Sequence, residues 1–207
     1  SNLIVEKTQY SDNQISFMSS GKPLDSTFIK ILKHDNSEAQ ECEGGEILIK
    51  SSSLFSNYYK HLELNQTIFN DGWYRTGDFG FIKNNELFVV GRVKDMIVHA
   101  GKNIYPAEIE RVLTELCSLK SGRIVCFGIY NESIGTEEIF IAAEIDGSIE
   151  IDKSALKKMI IHKIKTIFDV SVKNIVFKNE RWIVKSSSGK IDRKKCREKY
   201  CEELKGI

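Results

Sequence analysis

The chain has 207 residues, of which 41% are hydrophobic, and is long enough for one large domain or two small ones. Its 30 basic and 29 acidic residues nearly cancel, which argues against a protein whose main work is to coat nucleic acid or an anionic membrane. No apolar run approaches the roughly 20 residues that span a bilayer, and the amino terminus lacks the basic and apolar profile of a signal peptide.

The first part of the chain has the pattern of strands and turns. Apolar and polar residues alternate in "FIKILK" and again in "GEILIK", which predicts two strands joined by a long polar loop. A second hairpin is predicted around Asn84 and Asn85, because asparagine tolerates positive φ in a tight turn between two β-rich runs. Residues up to about Gly91 are therefore predicted to form a small, mostly β unit.

From Lys94 onwards the pattern indicates α+β structure. A helix is predicted to begin near Pro106, and two strands, "RIVCFGIY" and "EIFIAAEI", follow it. The apolar residues predicted to share one face of this helix are Ile109, Val112, Leu113 and Leu116.

A second helix is predicted after Asp152, whose carboxylate suits the position that caps a helix amino terminus. The apolar residues at helical spacing in it are Leu156, Met159, Ile160, Ile164 and Ile167. A short strand, "NIVFK", and a polar helix, "DRKKCREKYCEEL", complete the order of elements. This order predicts a compact α+β domain over residues 94–207, joined near "GRVKD" to a β-rich region over residues 1–93.

Two polar motifs lie where core packing alone would not require them. "YRTGDFG" places Asp78 on a glycine turn, where its carboxylate either accepts two hydrogen bonds from a diol such as a ribose or simply caps the turn. "SSSGKIDRKK" presents Lys190 beside a glycine but lacks the glycine and the hydroxyl of a Walker phosphate loop at Lys185 and Ile191. Lys190 is thus either a cation that offsets phosphate charge or a surface lysine before a helix.

Two further groups of charged residues have competing interpretations. Those that surround a short apolar strand, and that also fit a solvated strand end, are Arg92, Lys94, Asp95 and Lys102. The basic cluster near the carboxy terminus comprises Arg193, Lys194, Lys195, Arg197 and Lys199. It suits nucleic acid or an acidic partner, but the glutamates that follow it favour a solvated helix face.

The thiols and imidazoles form no metal-binding pattern. The five cysteines are odd in number and include no C-x-x-C pair, and the four histidines are scattered. We therefore expect reduced thiols, as in a cytoplasmic protein, and no metal site.

Taken together, the motifs resemble the adenylate-forming ligase superfamily of acyl-CoA synthetases, fatty acyl-AMP ligases, luciferases and the adenylation domains of peptide synthetases. The matching pieces, in order, are "GEILIK", "GWYRTGDFGFI", "GRVKDMIVHAGKNIYPAEIE" and "SSSGKIDRKK". Within the superfamily, "GKPLDSTFIKIL", the Tyr-Pro of "KNIYPAEIE" and "SSSGKIDRKKCREKY" look most like fatty acyl-AMP ligases.

The resemblance implies roles for individual residues. Asp78 would bind the ribose hydroxyls of ATP, and Arg92 would approach the nucleotide. Lys94, with Asp95, would form the hinge about which a small lid domain rotates. Lys190 would reach the α-phosphate and the substrate carboxylate.

A loop that contains Gly101 and Lys102 would line the path of an incoming pantetheine thiol, with Gly101 allowing close approach of the backbone. Some relatives carry a lysine where this chain has Val98, so a half-reaction role for a side chain there is not expected.

The resemblance also implies a function for the whole protein. It would activate a carboxylic acid, with a fatty acid as the expected class, using ATP with Mg²⁺, and pass it to coenzyme A or an acyl carrier protein. The phosphate loop, the adenine-stacking residues and the acyl pocket of the family are not found in the sequence. We therefore expect a carboxy-terminal fragment without tightly bound cofactor or activity of its own. The alternatives are a module that docks a carrier protein or partner, and a nucleic-acid binder, which the charge balance disfavours.

Overall fold

The structure is a computed structural model, which describes residues 16–114, 119, 122–145 and 152–206. Proximity of Cα atoms divides the described residues into two compact units, residues 16–94 and residues 95–206. The first unit is mostly β and the second mixes strands and helices, so the predicted α+β fold class is confirmed. Within these described ranges, no helix is long and apolar enough to cross a membrane.

The first unit is built on one antiparallel sheet. Its elements are β1 (Thr27–Leu32), β2 (Gly45–Ser51), α1 (Leu62–Ile68), β3 (Phe69–Asn70), β4 (Trp73–Lys83) and β5 (Glu86–Arg92). β2 lies between β1 and β4, while β3 and β5 pair with the opposite edge of β4. β4 is therefore the central strand, and it carries the whole R-T-G-D motif.

Both predicted hairpins of this unit are confirmed. β1 pairs antiparallel with β2 across the long polar loop, and β4 pairs antiparallel with β5. Asn84 and Asn85 both have positive φ, 52° and 61°, as the tight turn requires. The short helix α1 was not predicted, and it buries none of its residues, so it leaves no apolar stripe in the sequence.

A 3₁₀ turn at Val93–Asp95 spans the boundary between the units, which falls between Lys94 and Asp95. The elements of the second unit are β6 (Ile97–His99), β7 (Lys102–Ile104), α2 (Pro106–Thr114), β8 (Ile124–Asn131), β9 (Thr136–Glu144), α3 (Lys153–Phe168), β10 (Val172–Lys178) and α4 (Arg193–Lys205). β9 is the middle strand of a sheet, antiparallel to β8 and parallel to β10, and β6 and β7 form a separate hairpin.

Both faces of the three-stranded sheet are covered. Along β8, Ile124 and Cys126 join the apolar cluster of α2 and α3, whereas Val125 and Phe127 join the cluster of α4. This alternation follows from the two-residue period of a strand. The unit therefore has three layers, with α2 and α3 on one side of the sheet and α4 on the other.

The predicted helices differ from the structure in detail. Asp152 caps α3 as predicted, because its side chain accepts hydrogen bonds from the backbone N–H groups of Ser154 and Ala155. Met159 was predicted on the apolar face but is 54% exposed. The residues of α3 that are buried against the sheet, Leu156, Ile160 and Ile164, are spaced by four, and Met159 lies about 100° from Ile160 around the helix. Leu116 lies outside the described residues.

Candidate functional site

The R-T-G-D motif forms a bulge in β4. One residue of β2, Ile47, faces the three residues Thr76–Asp78 between two regular pairs of the ladder. The Thr76 hydroxyl donates to the Ile47 carbonyl at 2.8 Å and accepts from the Asp78 N–H at 3.0 Å. Gly77 lies in the left-handed region, with φ of 70°, which an L residue adopts only with strain. These contacts project Asp78 from the strand while satisfying the backbone that the bulge leaves unpaired.

Gly80, the second glycine of the same segment, is required for a different reason. A Cβ atom on Gly80 would lie 2.3 Å from the carbonyl oxygen of Phe88, far inside contact distance. β4 and β5 can therefore pair closely next to the bulge only if this position is glycine.

Asp78 and Arg92, the two candidate nucleotide-binding residues, are brought together by the structure. They are cross-strand partners on β4 and β5, and the Arg92 Nε donates to the Asp78 Oδ1 at 2.7 Å. Their side chains are 32% and 49% exposed, so the pair offers acceptor oxygens and spare guanidinium donors to solvent. Arg75 of the same motif instead donates through Nε and Nη2 to Glu46 Oε2, at 3.0 and 2.5 Å, and is a structural residue.

An aromatic group that the sequence analysis missed lies beside the motif. Phe55 contacts the rings of Tyr58, Phe69 and Tyr74 edge-on, with ring centroids 4.9–5.3 Å apart. The hydrogen bond to the Tyr58 hydroxyl, 3.3 Å away, raises the pKa of Tyr74 to about 12, with partial burial as a further cause. The Tyr74 hydroxyl, which feels the charges of Arg92 and Asp78, stays neutral at physiological pH, as an unshifted tyrosine would.

Lys190 lies in the second unit, at the end of a compact turn. The Ser186 N–H donates to the Lys190 carbonyl at 2.8 Å, and the Gly189 N–H donates to the Ser186 carbonyl at 2.9 Å. Gly189 has φ of 79°, as a glycine bulge in a short hairpin requires. The loop is therefore a short hydrogen-bonded hairpin with Lys190 at its end. The Lys190 side chain is exposed, and it has no ion-pair or hydrogen-bond partner among the described residues.

The two hinge candidates have different surroundings. Lys94 is exposed, and its side chain has no hydrogen-bond or ion-pair partner among the described residues. Asp95 accepts a hydrogen bond from Arg193 Nη1 at 3.0 Å, and its side chain is 21% exposed.

The basic cluster of α4 is not one solvated face, as we had favoured. Arg193 is largely buried and binds Glu110 with Nε at 3.1 Å and Nη2 at 2.5 Å, in addition to Asp95. Lys199 donates to the Trp182 carbonyl at 3.0 Å and lies over the Trp182 ring. The members that remain exposed for an acidic partner are Lys194, Lys195 and Arg197.

The candidate thiol-path loop is the turn of the β6–β7 hairpin. Ala100 and Gly101 occupy its tip with φ of 48° and 77°, and both are exposed. Lys102 donates to the carbonyl oxygen and the Oδ2 of Asp169, at 2.9 and 2.7 Å. Hydrogen bonds from Lys102 and then Lys165 lower the pKa of Asp169 to about 2. The hairpin is thus fixed to the carboxy-terminal end of α3.

The described residues form neither a candidate metal site nor a disulfide. No three His, Cys, Asp or Glu side chains are grouped there to hold a metal ion. Cys42, Cys126, Cys196 and Cys201 are free thiols, and Cys117 lies outside the described residues.

The fold and the ordered motifs define a class of protein, the adenylate-forming superfamily, and the predicted resemblance to its carboxy-terminal part is confirmed by comparison with known proteins. A 2-succinylbenzoate–CoA ligase of Bacillus licheniformis is 45% identical over 96 residues, which are 46% of this chain and 20% of that protein. The putative long chain fatty acid–CoA ligase VraA of Staphylococcus aureus is 31% identical over 172 residues, 83% of this chain and 34% of VraA. No family model matches the chain.

Solved structures give the same class. McyG A-PCP complexed with phenylalanyl-adenylate has a TM-score of 0.78 and 29% identity over 91% of this chain and 34% of its own. A structure from a study of fatty acyl-adenylate ligases of E. coli and L. pneumophila has a TM-score of 0.74 and 26% identity, covering 92% of this chain and 33% of its own. The chain thus spans about a third or less of the length of these relatives.

Proposed function

We propose that the chain is the carboxy-terminal part of an ATP-dependent ligase that activates a carboxylic acid as an acyl-adenylate and passes it to a pantetheine thiol. The observation that carries the proposal is Lys190, an exposed ammonium presented at a defined hairpin turn with no ion-pair partner among the described residues. A lysine that serves a ligand must be left available, and Lys190 combines this availability with its place in the S-G-K motif.

The remaining candidate residues fit a division of labour between the two units. Asp78 and Arg92 would bind the ribose and nearby parts of MgATP, the metal ion entering with the nucleotide as substrate. Lys94 and Asp95 would be the hinge through which the second unit changes its position. Gly101 and Lys102 would border the path of the thiol.

The chemistry explains why a mobile cation is needed. A carboxylate oxygen attacks the α-phosphorus, and the bond from that phosphorus to the bridging oxygen of pyrophosphate breaks. Both reactants are anions, and negative charge accumulates on the phosphoryl oxygens during the displacement. An ammonium that arrives only in the closed state stabilises that charge where it develops.

We propose a fatty acid as the substrate and coenzyme A or an acyl carrier protein as the acceptor. Support for the acid comes from the motifs that look most like fatty acyl-AMP ligases and from the similarity to VraA and to fatty acyl-adenylate ligases. Similarity to a 2-succinylbenzoate–CoA ligase makes an aromatic acid the competing substrate. A panel of carboxylic acids in pyrophosphate exchange would separate the two.

The proposal is tested by Lys190→Ala in the full-length protein that carries this sequence. Acyl-adenylate formation should fall on the order of 100- to 1,000-fold, the usual loss when one charge-stabilising group is removed. Thiol transfer from a supplied acyl-adenylate should remain close to that of the wild type, because the phosphoryl charge is then no longer developing.

Lys185→Ala is the matched control, since Lys185 is an exposed lysine at the other side of the same hairpin, bridged to Ile191. Its adenylation rate should be unchanged. Equal losses for the two variants, or equal losses in both half-reactions for Lys190→Ala, would show that the turn only supports the fold.

A further inference from the structure

A largely buried ion-pair network joins the unit boundary to the helix that follows Lys190. Arg193, the first residue of α4, binds Glu110 of α2 through two nitrogens and Asp95 through its third, Nη1. The three side chains are between 12% and 21% exposed. Glu110 Oε1 also accepts the Cys126 N–H at 2.9 Å, which anchors the network to the central sheet.

Local electrostatics and burial both disfavour a cation at the position of Arg193, so its contacts must compensate for that cost. A cation in the first turn of a helix is disfavoured by the positive end of the helix dipole. Burial adds a desolvation cost, which raises the pKa of the Glu110 carboxyl, while the charge of Arg193 opposes that shift. An arginine offsets these costs because its planar guanidinium satisfies two carboxylates at once.

Short hydrogen-bonded steps connect Arg193 to Lys190. Asp192 caps α4 by accepting the Lys195 N–H, and its own N–H donates to the Val184 carbonyl at 2.9 Å. Ile191 bridges to Lys185, which closes the hairpin that presents Lys190. Both residues between Arg193 and Lys190 are thus held by contacts to the preceding strand-like segment.

We infer that Arg193 is a positioning residue, which holds the hinge residue Asp95 and the Lys190 hairpin as one piece, so that rotation at the hinge places the lysine accurately. The inference rests on the proposed function and adds to it the group that couples the two elements. Arg193 itself lies inside the second unit, and carboxylates of that unit occupy its three guanidinium nitrogens.

The test uses two substitutions that break the same contact in the full-length protein. Asp95→Ala removes the contact of Arg193 with the hinge. It leaves the ion pair of Arg193 with Glu110 in place, so we expect the fold to be retained. Arg193→Lys keeps a cation beside Glu110 but cannot serve both carboxylates. Each should lower the rate constant for adenylation about 10- to 100-fold, as expected for a misplaced catalytic group, with the KM for the acid unchanged.

Combined variants separate positioning from mere stability. The double variant Asp95→Ala/Arg193→Lys should be no slower than either single variant, because one contact is lost in all three. In a Lys190→Ala background neither substitution should slow adenylation further. Arg197→Lys, on the exposed face of the same helix, is the matched control and should have no effect.

Two outcomes would overturn the inference and are distinguishable from failure of the proposed function. If the losses multiply with that of Lys190→Ala, Arg193 does not act through the lysine. If only Asp95→Ala is slow, the hinge backbone matters and the contact does not. An unchanged adenylation rate in Lys190→Ala would instead overturn the proposed function, and this inference with it.

Discussion

The two glycine turns that carry the candidate site residues are built in opposite ways. The turn at Asp78 is a bulge inside a sheet, fixed by the Thr76 hydroxyl and by the ion pair with Arg92. The turn at Lys190 is hydrogen-bonded mainly within itself, and the Lys190 side chain has no hydrogen-bond or ion-pair partner among the described residues. This difference fits the proposed function, in which the first turn is preorganised to bind the nucleotide and the second presents a lysine that the second unit must bring to the reacting groups.

Blocking the proposed hinge should have the largest effect on thiol transfer. Lys94→Pro fixes φ near −65° and removes a backbone donor in the 3₁₀ turn at the unit boundary, so the dihedral change required of a hinge is hindered. Thiol transfer should fall roughly 100-fold, with a smaller loss in adenylation if the chain is held in the closed arrangement.

Lys94→Ala is the control for this hinge variant, because it removes the side chain while leaving the backbone free, and it should be close to the wild type. The rates of adenylation and of thiol transfer are measured separately for both variants. A Lys94→Pro enzyme with normal transfer would place the hinge elsewhere.

Replacing a glycine near Asp78 should destabilise the protein more than replacing the glycine beside Lys190. Gly80→Ala introduces a Cβ 2.3 Å from the Phe88 carbonyl oxygen and should lower the free energy of unfolding of the first unit by about 2–3 kcal/mol. Gly189→Ala has open space around the new Cβ and adds only left-handed strain, so about 1 kcal/mol is expected in the second unit. Urea unfolding of the 207-residue chain tests both, and a reversed order would contradict the comparison.

Removing the charge of Asp78 should weaken nucleotide binding moderately. Asp78→Asn keeps the shape but replaces charge-assisted hydrogen bonds by neutral ones, so the Kd for ATP should rise roughly tenfold in the full-length protein. Arg75→Lys is the matched control, because Arg75 belongs to the same motif but binds Glu46. Isothermal titration with ATP that shows equal effects for both variants would remove Asp78 from the nucleotide site.

The smallest expected effect is a pH dependence of stability that comes from the contact of Lys102 with Asp169, which fixes the β6–β7 hairpin. The pKa of Asp169 is lowered to about 2, so its contribution to stability is complete above about pH 4 and is lost as the pH falls through about 2. Asp169→Asn, which tolerates the left-handed backbone at this position, should therefore be slightly less stable than the wild type at pH 7.

Acid should erase that difference. Unfolding curves of wild type and Asp169→Asn compared at pH 7 and near pH 2 would reveal it, and added salt should reduce the difference at pH 7 because both lysine partners are exposed. A difference that is independent of pH would assign the effect to packing.

Local chemistry in the sequence was sufficient for much of the fold. Asn84 and Asn85 specify their hairpin because few other residues accept positive φ twice in succession, and Asp152 specifies a helix start through its own backbone contacts. The β6–β7 hairpin was harder to recognise, since its turn places Ala100, a residue with no preference for that region, at positive φ.

The site was predicted less completely than the fold. Motif order pointed to Asp78, Arg92 and Lys190, whose roles remain predictions, but their partners depend on distant parts of the chain. Arg193 finds Glu110 and Asp95 at separations of 83 and 98 residues, and no periodicity encodes such pairs. The one available signal was its unfavourable place at the start of a helix, which the basic neighbours of Arg193 obscured.

The position of α4 has a consequence for how the second unit is made. This helix covers the sheet face that includes Val125, Phe127 and Phe140, and it comes after every other element of the unit in the chain. During synthesis the strands are therefore complete while one apolar face still lacks its cover, and a nascent chain that stops short of α4 would expose that face to chaperones or to other chains. The candidate catalytic lysine, immediately upstream of α4, would be held in a working geometry only after this last helix has docked.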